Sequence, residues 1–79
     1  MKKPAKEKAL LKKVGDKIRA LRVNSGLSQE ELAEKVGIHR TYIGSVERGE
    51  RNVSIINLFY IARSLSSSLS ELFESINEK

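Results

Sequence analysis

The 79-residue chain has no cysteine and no tryptophan, a single proline, a single histidine, and only two tyrosines and two phenylalanines. Without cysteine there is no disulfide framework and no thiolate metal site, and one histidine alone cannot assemble a zinc site or a catalytic triad. No catalytic residue, metal or cofactor is therefore expected. No apolar run approaches the roughly 20 residues that a membrane span needs, and the N-terminus has no hydrophobic signal region. A soluble, cytoplasmic protein without membrane contact is expected. Strand-like alternation and internal repeats are also missing, so the chain reads as all-α with five helices.

What is present is charge. The net charge is +5 and the pI near 9.8, which favours an anionic partner. Residues 1–23 hold nine Lys or Arg against Glu7 and Asp16, whereas residues 70–79 hold three Glu against one Lys. The lysine-rich N-terminus reads equally as a solvated tail or as a phosphate contact. A domain of this size buries only about 60% of its unfolded surface, so stabilisation by a second copy is expected.

The most informative stretch runs from Ser28 to Asn52, SQEELAEKVGIHRTYIGSVERGERN. Ser28-Gln29-Glu30-Glu31 is a capping box that starts a helix. Leu32, Ala33 and Val36 fall on one stripe, and Gly37 suits a left-handed C-terminal turn. Ile38 then plugs the corner, and a second helix carries Ile43 and Val46 inward before Gly49 stops it. The outward face left over is His39, Arg40, Thr41, Gly44 and Ser45, flanked by Tyr42 and Arg48. Arginine reads guanine O6 and N7 bidentately and hydroxyls serve several base edges, so Arg40, Thr41 and Ser45 are candidate base contacts. Gly44 removes bulk on that face, Arg48 is a candidate backbone contact, and His39 reads as a helix-start residue. Tyr42 can touch a ligand backbone or base, or equally form partial core.

This segment resembles the helix-turn-helix of the lambda-repressor and Cro-like family, and HRTYIGSVERGERN in particular resembles the controller proteins of bacterial restriction-modification systems. The similarity covers about residues 14–73. It implies a compact five-helix lambda-repressor-like DNA-binding domain. It also implies that Gln29 anchors a backbone phosphate at a helix N-terminus, that Arg51 and Asn52 approach DNA from the following loop, and that Arg22 and Glu47 form a structural ion pair. The alternative for that pair is two solvated side chains.

The remaining elements follow from pattern. Residues 1–7 are expected to be a mobile basic tail, and 8–77 one DNA-binding and dimerisation domain. The first helix should begin near Ala5 to Lys8 and run to about Ser25 on a stripe of Leu10 or Leu11, Val14, Ile18 and Leu21. Gly15 weakens it by about 1 kcal/mol relative to alanine. Ser54 can cap a helix Ile55–Leu65 with two apolar faces. Ile55, Leu58, Ile61, Ala62 and Leu65 form one, and Ile56, Phe59 and Tyr60 the other, which faces either a dimer mate or the last helix. A capping box at Ser68 to Glu71 predicts a final helix from Leu69 to about Ile76. Ile56, Phe59, Tyr60, Phe73 and Ile76 are the dimerisation candidates.

Together these features point to a sequence-specific regulator that binds double-stranded, pseudo-palindromic operator DNA as a homodimer. No small-molecule effector is expected, so control would act through dimer concentration, cooperative occupancy, and contact with or occlusion of RNA polymerase. The controller resemblance implies autoregulation, with both activation and repression. A phage-type or other small autoregulatory repressor is the alternative within this class, and an antitoxin-like protein-binding module is the alternative outside it.

Overall fold

Five helices account for the regular structure of the computed structural model, which describes residues 4–74 and 76: α1 (Pro4–Asn24), α2 (Gln29–Val36), α3 (Arg40–Glu47), α4 (Ile55–Ser64) and α5 (Leu69–Leu72). No strand occurs among the described residues, and none of their helices is long and apolar enough to cross a membrane. α1 begins at Pro4, inside the stretch expected to be a tail; residues 1–3 of that tail and residues 75 and 77 of the expected domain lie outside the described residues.

The core is built from the inward stripes of four helices and the one buried residue of the fifth. Val14 and Ile18 of α1 meet Leu32 and Ala33 of α2, Ile43 and Val46 of α3, Leu58, Ile61 and Ala62 of α4, Leu65 just after it, and Leu72 of α5. Of the two leucines offered for the first stripe, Leu11 is half-buried and Leu10 is exposed. α2 packs on α3 and α4, α1 crosses α3 and touches α5, and α4 holds α5.

The capping chemistry read from the sequence sets the α2 ends. Ser28 Oγ accepts from the Glu31 amide at 2.9 Å, while the Glu31 carboxylate accepts from the Ser28 amide at 2.8 Å. At the other end Gly37 takes φ 89°, and its amide donates to the Ala33 carbonyl at 2.8 Å. A Cβ there would meet no neighbour, so the glycine is favoured by the left-handed backbone that ends α2 and not by crowding.

Gly15 has a role that the sequence did not reveal. A Cβ built there would lie 2.6 Å from the Glu47 carbonyl oxygen and close against that of Val46, so the missing side chain is what allows α1 to cross the end of α3. Helix propensity alone says that Gly15→Ala should stabilise by about 1 kcal/mol. The backbone atoms in the way cannot rotate aside, so the opposite sign is expected: a loss of about 1–3 kcal/mol, typical of overpacking. Urea unfolding decides it, and a raised midpoint would contradict the crossing.

Three expectations need correction. Ile55 was assigned to the core face of α4 but is 66% exposed; as the first residue after the Ser54 cap it projects beyond the packed part of the helix. α5 ends at Leu72 and not near Ile76, and the box at its start is only half formed. Ser68 Oγ accepts from the Glu71 amide, but the Glu71 carboxylate accepts from the Ser67 hydroxyl at 2.7 Å. Gly44, expected on the outward face of α3, is buried.

Candidate nucleic-acid interface

α3 is held in place from its two ends. At its start His39 is the N-cap: its Nδ1 accepts from the Thr41 amide at 3.1 Å and lies 2.8 Å from the Thr41 hydroxyl. An imidazole acceptor here takes the place of the usual Ser, Thr, Asn or Asp, which fits the reading of His39 as a helix-start residue.

At its end the Glu47 side chain, 2% exposed, accepts from Arg22 Nε at 2.7 Å and Nη2 at 3.1 Å, a bidentate pair across 25 residues. Arg22 Nη1 also donates to the Leu27 carbonyl at 2.8 Å. Glu47 Oε1 accepts a further bond from Gln29 Nε2 at 3.0 Å. One buried carboxylate therefore ties together the end of α1, the loop after it, the start of α2 and the end of α3.

This cluster also explains Gly44. A Cβ at that position would lie 3.2 Å from Arg48 Nη1 and 3.4 Å from Gln29 Oε1. The glycine leaves room for both side chains near the start of α2, where the Gln29 and Glu30 amides have no intrahelical acceptor and the helix dipole favours an anion. Arg48 is exposed and pairs with Glu50 at 3.0 Å. Their mutual hydrogen bond holds the Glu50 carboxyl below its ordinary pKa and raises that of Arg48.

The reading candidates divide into two groups. Arg40 and Thr41 are exposed in the first turn of α3. Ser45 is half-buried and its hydroxyl is engaged, donating to the Tyr42 carbonyl at 2.8 Å and accepting from Arg51 Nε at 3.1 Å. The Arg51 guanidinium lies 4.7 Å from the centroid of the Tyr42 ring, within cation–π range. The Tyr42 hydroxyl in turn accepts from Asn57 Nδ2 at 3.1 Å. Tyr42 is thus half core, half platform, and Ser45 and Tyr42 together hold Arg51 over the outer face of α3. Asn57 was missed in the sequence because it sits among the apolar residues of α4, with no local pattern to mark it. Asn52 is exposed in the loop between α3 and α4.

Along α4 and at the end of α5, Ile55, Ile56, Phe59, Tyr60 and Phe73 are all large, apolar or aromatic, and exposed. Phe59 and Tyr60 meet edge to face with centroids 5.5 Å apart, and Arg63 lies over the Phe59 ring. Ile76, grouped with them from the sequence, packs against the core and is half-buried.

Comparison with known proteins agrees with this geometry. The helix-turn-helix family model matches residues 18–72. Control protein C.SmaI of Serratia marcescens is 49% identical over 59 residues, covering 75% of this chain and 70% of that protein. The crystal structure of the restriction-modification controller protein C.AhdI from Aeromonas hydrophila superposes with a TM-score of 0.80 at 49% identity, covering 82% of this chain and 98% of the other. The restriction-modification controller protein C.Esp1396I, solved as a tetramer with its natural 35-base-pair operator, gives a TM-score of 0.75 at 40% identity, with coverage of 85% and 88%. With the family match spanning residues 18–72 and these relatives covering most of its length, the chain belongs to the helix-turn-helix family.

Proposed function

We propose that the chain is a sequence-specific DNA-binding transcription regulator that controls a restriction-modification system, including its own gene, and acts in the cytoplasm with no catalytic step. The observation that carries this reading is the exposed face of α3, with Arg40 and Thr41 in its first turn and the braced Arg51 held at Ser45, while Gln29 and Arg48 lie at the other end of the helix. The relative C.Esp1396I, solved on its operator, supports the same use of the fold. α3 enters the major groove, Gln29 and Arg48 fix its position on phosphates, and Arg40, Thr41, Arg51 and Asn52 read base edges. Ser45 and Tyr42 serve chiefly by holding Arg51.

The exposed apolar side of α4 joins two copies around a twofold axis. That places the two α3 helices about 34 Å apart on one side of a duplex, so the operator is pseudo-palindromic. Its central base pairs are read through deformability. Regulation follows from dimer concentration, cooperative filling of adjacent operators, and the position of the bound dimer relative to RNA polymerase.

The test is binding of the purified chain to the DNA upstream of its own gene and to a scrambled duplex at one near-physiological salt concentration. Specific binding at least 10³-fold tighter is expected. Equal affinity for both duplexes would overturn the reading. Within the specific complex, Arg40→Ala should cost about 1–3 kcal/mol and relax discrimination at one symmetric base-pair position. Uniform weakening on every sequence would assign Arg40 to phosphate instead.

A further inference from the structure

The part of α1 before the family-matched segment is held against the domain at residues 8–15. Gly49, at φ 74°, brings the loop after α3 against this part of the helix: a Cβ there would lie 2.8 Å from Lys12 Cα and 2.9 Å from Lys12 N. One turn above, Gly15 fits under the end of α3 in the same way. Two close crossings therefore fix the register of α1 against the loop that carries Arg48.

Beside the Gly49 contact, toward the start of α1, lies an open groove of about 540 Å³ lined by Lys8, Leu11, Lys12, Arg48, Gly49 and Glu50. Lys8 and Lys12 are one helical turn apart and so share a face of α1. Residues 6–17 hold five lysines against Glu7 and Asp16. The one acidic residue lining the groove, Glu50, pairs with Arg48 at 3.0 Å, and Lys12 pairs with Asp16 one turn along α1 at 2.5 Å. In both pairs the side chains are more than half exposed, and exposed pairs of this kind hold weakly enough for a phosphate to displace. A Cβ on Gly44 would meet both Arg48 Nη1 and Gln29 Oε1, so Arg48 lies on the side of the groove nearer the α2 anchor.

We propose that this groove is a second DNA-backbone site, in which Lys8 and Lys12 of α1 together with Arg48 take a phosphodiester of the duplex that α3 reads. This inference rests on the operator reading above and extends its footprint along the backbone beyond the anchor at Gln29. The lysines contribute affinity without sequence information, because a phosphate is the same at every step.

The full-length chain with Lys8→Gln and Lys12→Gln tests the site by titration of operator and random duplex over a series of salt concentrations. Each phosphate contact contributes about 0.9 to the slope of log K against log salt, so one phosphate per subunit makes the slope of the dimer shallower by about 2. Affinity should fall by the same factor on both duplexes, ethylation interference should vanish at one phosphate in each half-site, and Lys8→Arg with Lys12→Arg should restore all three readouts. An unchanged slope and interference pattern in a variant with wild-type helicity would overturn the site. A loss confined to one base-pair position would also overturn it, since that would make the lysines base readers. Wild-type protein that binds operator and random DNA alike would instead overturn the operator reading on which the site depends.

Discussion

Glu47→Ala is expected to lower the stability of the domain by about 3–5 kcal/mol, the range for breaking one side of a buried ion pair. The reason lies in how many groups depend on that carboxylate. Its removal leaves the Arg22 guanidinium, with a side chain only 11% exposed, holding a single acceptor at the Leu27 carbonyl, and it strands the amide of Gln29 as well. Total stability for 79 residues is on the order of 4–12 kcal/mol, so the variant should be close to unfolding on its own. Its urea midpoint should fall by roughly 2 M.

A companion variant separates charge burial from packing. Replacing both partners by apolar residues, Arg22→Met with Glu47→Leu, should recover much of the loss, because no buried charge is left unpaired. It should not recover DNA binding, since Gln29 then has nothing to hold its amide beside the α2 N-terminus. If Glu47→Ala unfolds within about 0.5 kcal/mol of wild type, the pair is worth no more than a solvated surface bridge and the bracing described for α3 is wrong.

Phe59→Asp is expected to convert dimer to monomer. Phe59 is 40% exposed and lies among Ile55, Ile56, Tyr60 and Phe73, the exposed large hydrophobic residues of α4 and of the turn that ends α5. A twofold interface buries each such side chain twice. Losing two aromatic rings and burying two carboxylates against apolar surface should weaken association at least about a hundredfold, each factor of ten being about 1.4 kcal/mol. Operator affinity should fall with it, because the two half-sites are no longer bound by one molecule. Sedimentation velocity at micromolar concentration reads the result. An unchanged sedimentation coefficient with intact helicity would place the interface elsewhere.

How much of this was legible in the sequence depends on whether the cause was local. The Ser28 box, the Gly37 turn and the apolar stripes of α1, α2 and α3 are set by contacts within a few residues, and they stand as read. The Arg22–Glu47 pair spans 25 residues and came from family resemblance, not from any periodicity. Gly15 and Gly44 were misjudged for a shared reason. Each was weighed on its own helix, as a propensity cost or as bulk removed toward a ligand, whereas each exists for what another part of the fold places against it: the α3 carbonyls in one case, Gln29 and Arg48 in the other.

The site shows the same division. Residue chemistry nominated Arg40, Thr41, Ser45 and Tyr42, but not that Ser45 and Tyr42 spend their polar atoms on Arg51, on the backbone and on Asn57. Ile55 left the core face expected of it, and Ile76, a dimerisation candidate on a face that could also meet the core, packs on the core, because helix ends decide both. Ile55 falls just inside the start of α4 and is left outside the core, and α5 stops early enough for Ile76 to turn back onto it.

The most direct test of the central claim is in-vitro selection of random duplex DNA by the purified chain at fixed near-physiological salt, followed by stoichiometry on the selected site. The expected result is a palindrome whose half-site centres are about ten base pairs apart, bound by two subunits, with one symmetric position that loses its preference in Arg40→Ala. Recovery of salt-sensitive binding with no consensus would contradict it, and would turn attention to a protein partner for the apolar face of α4.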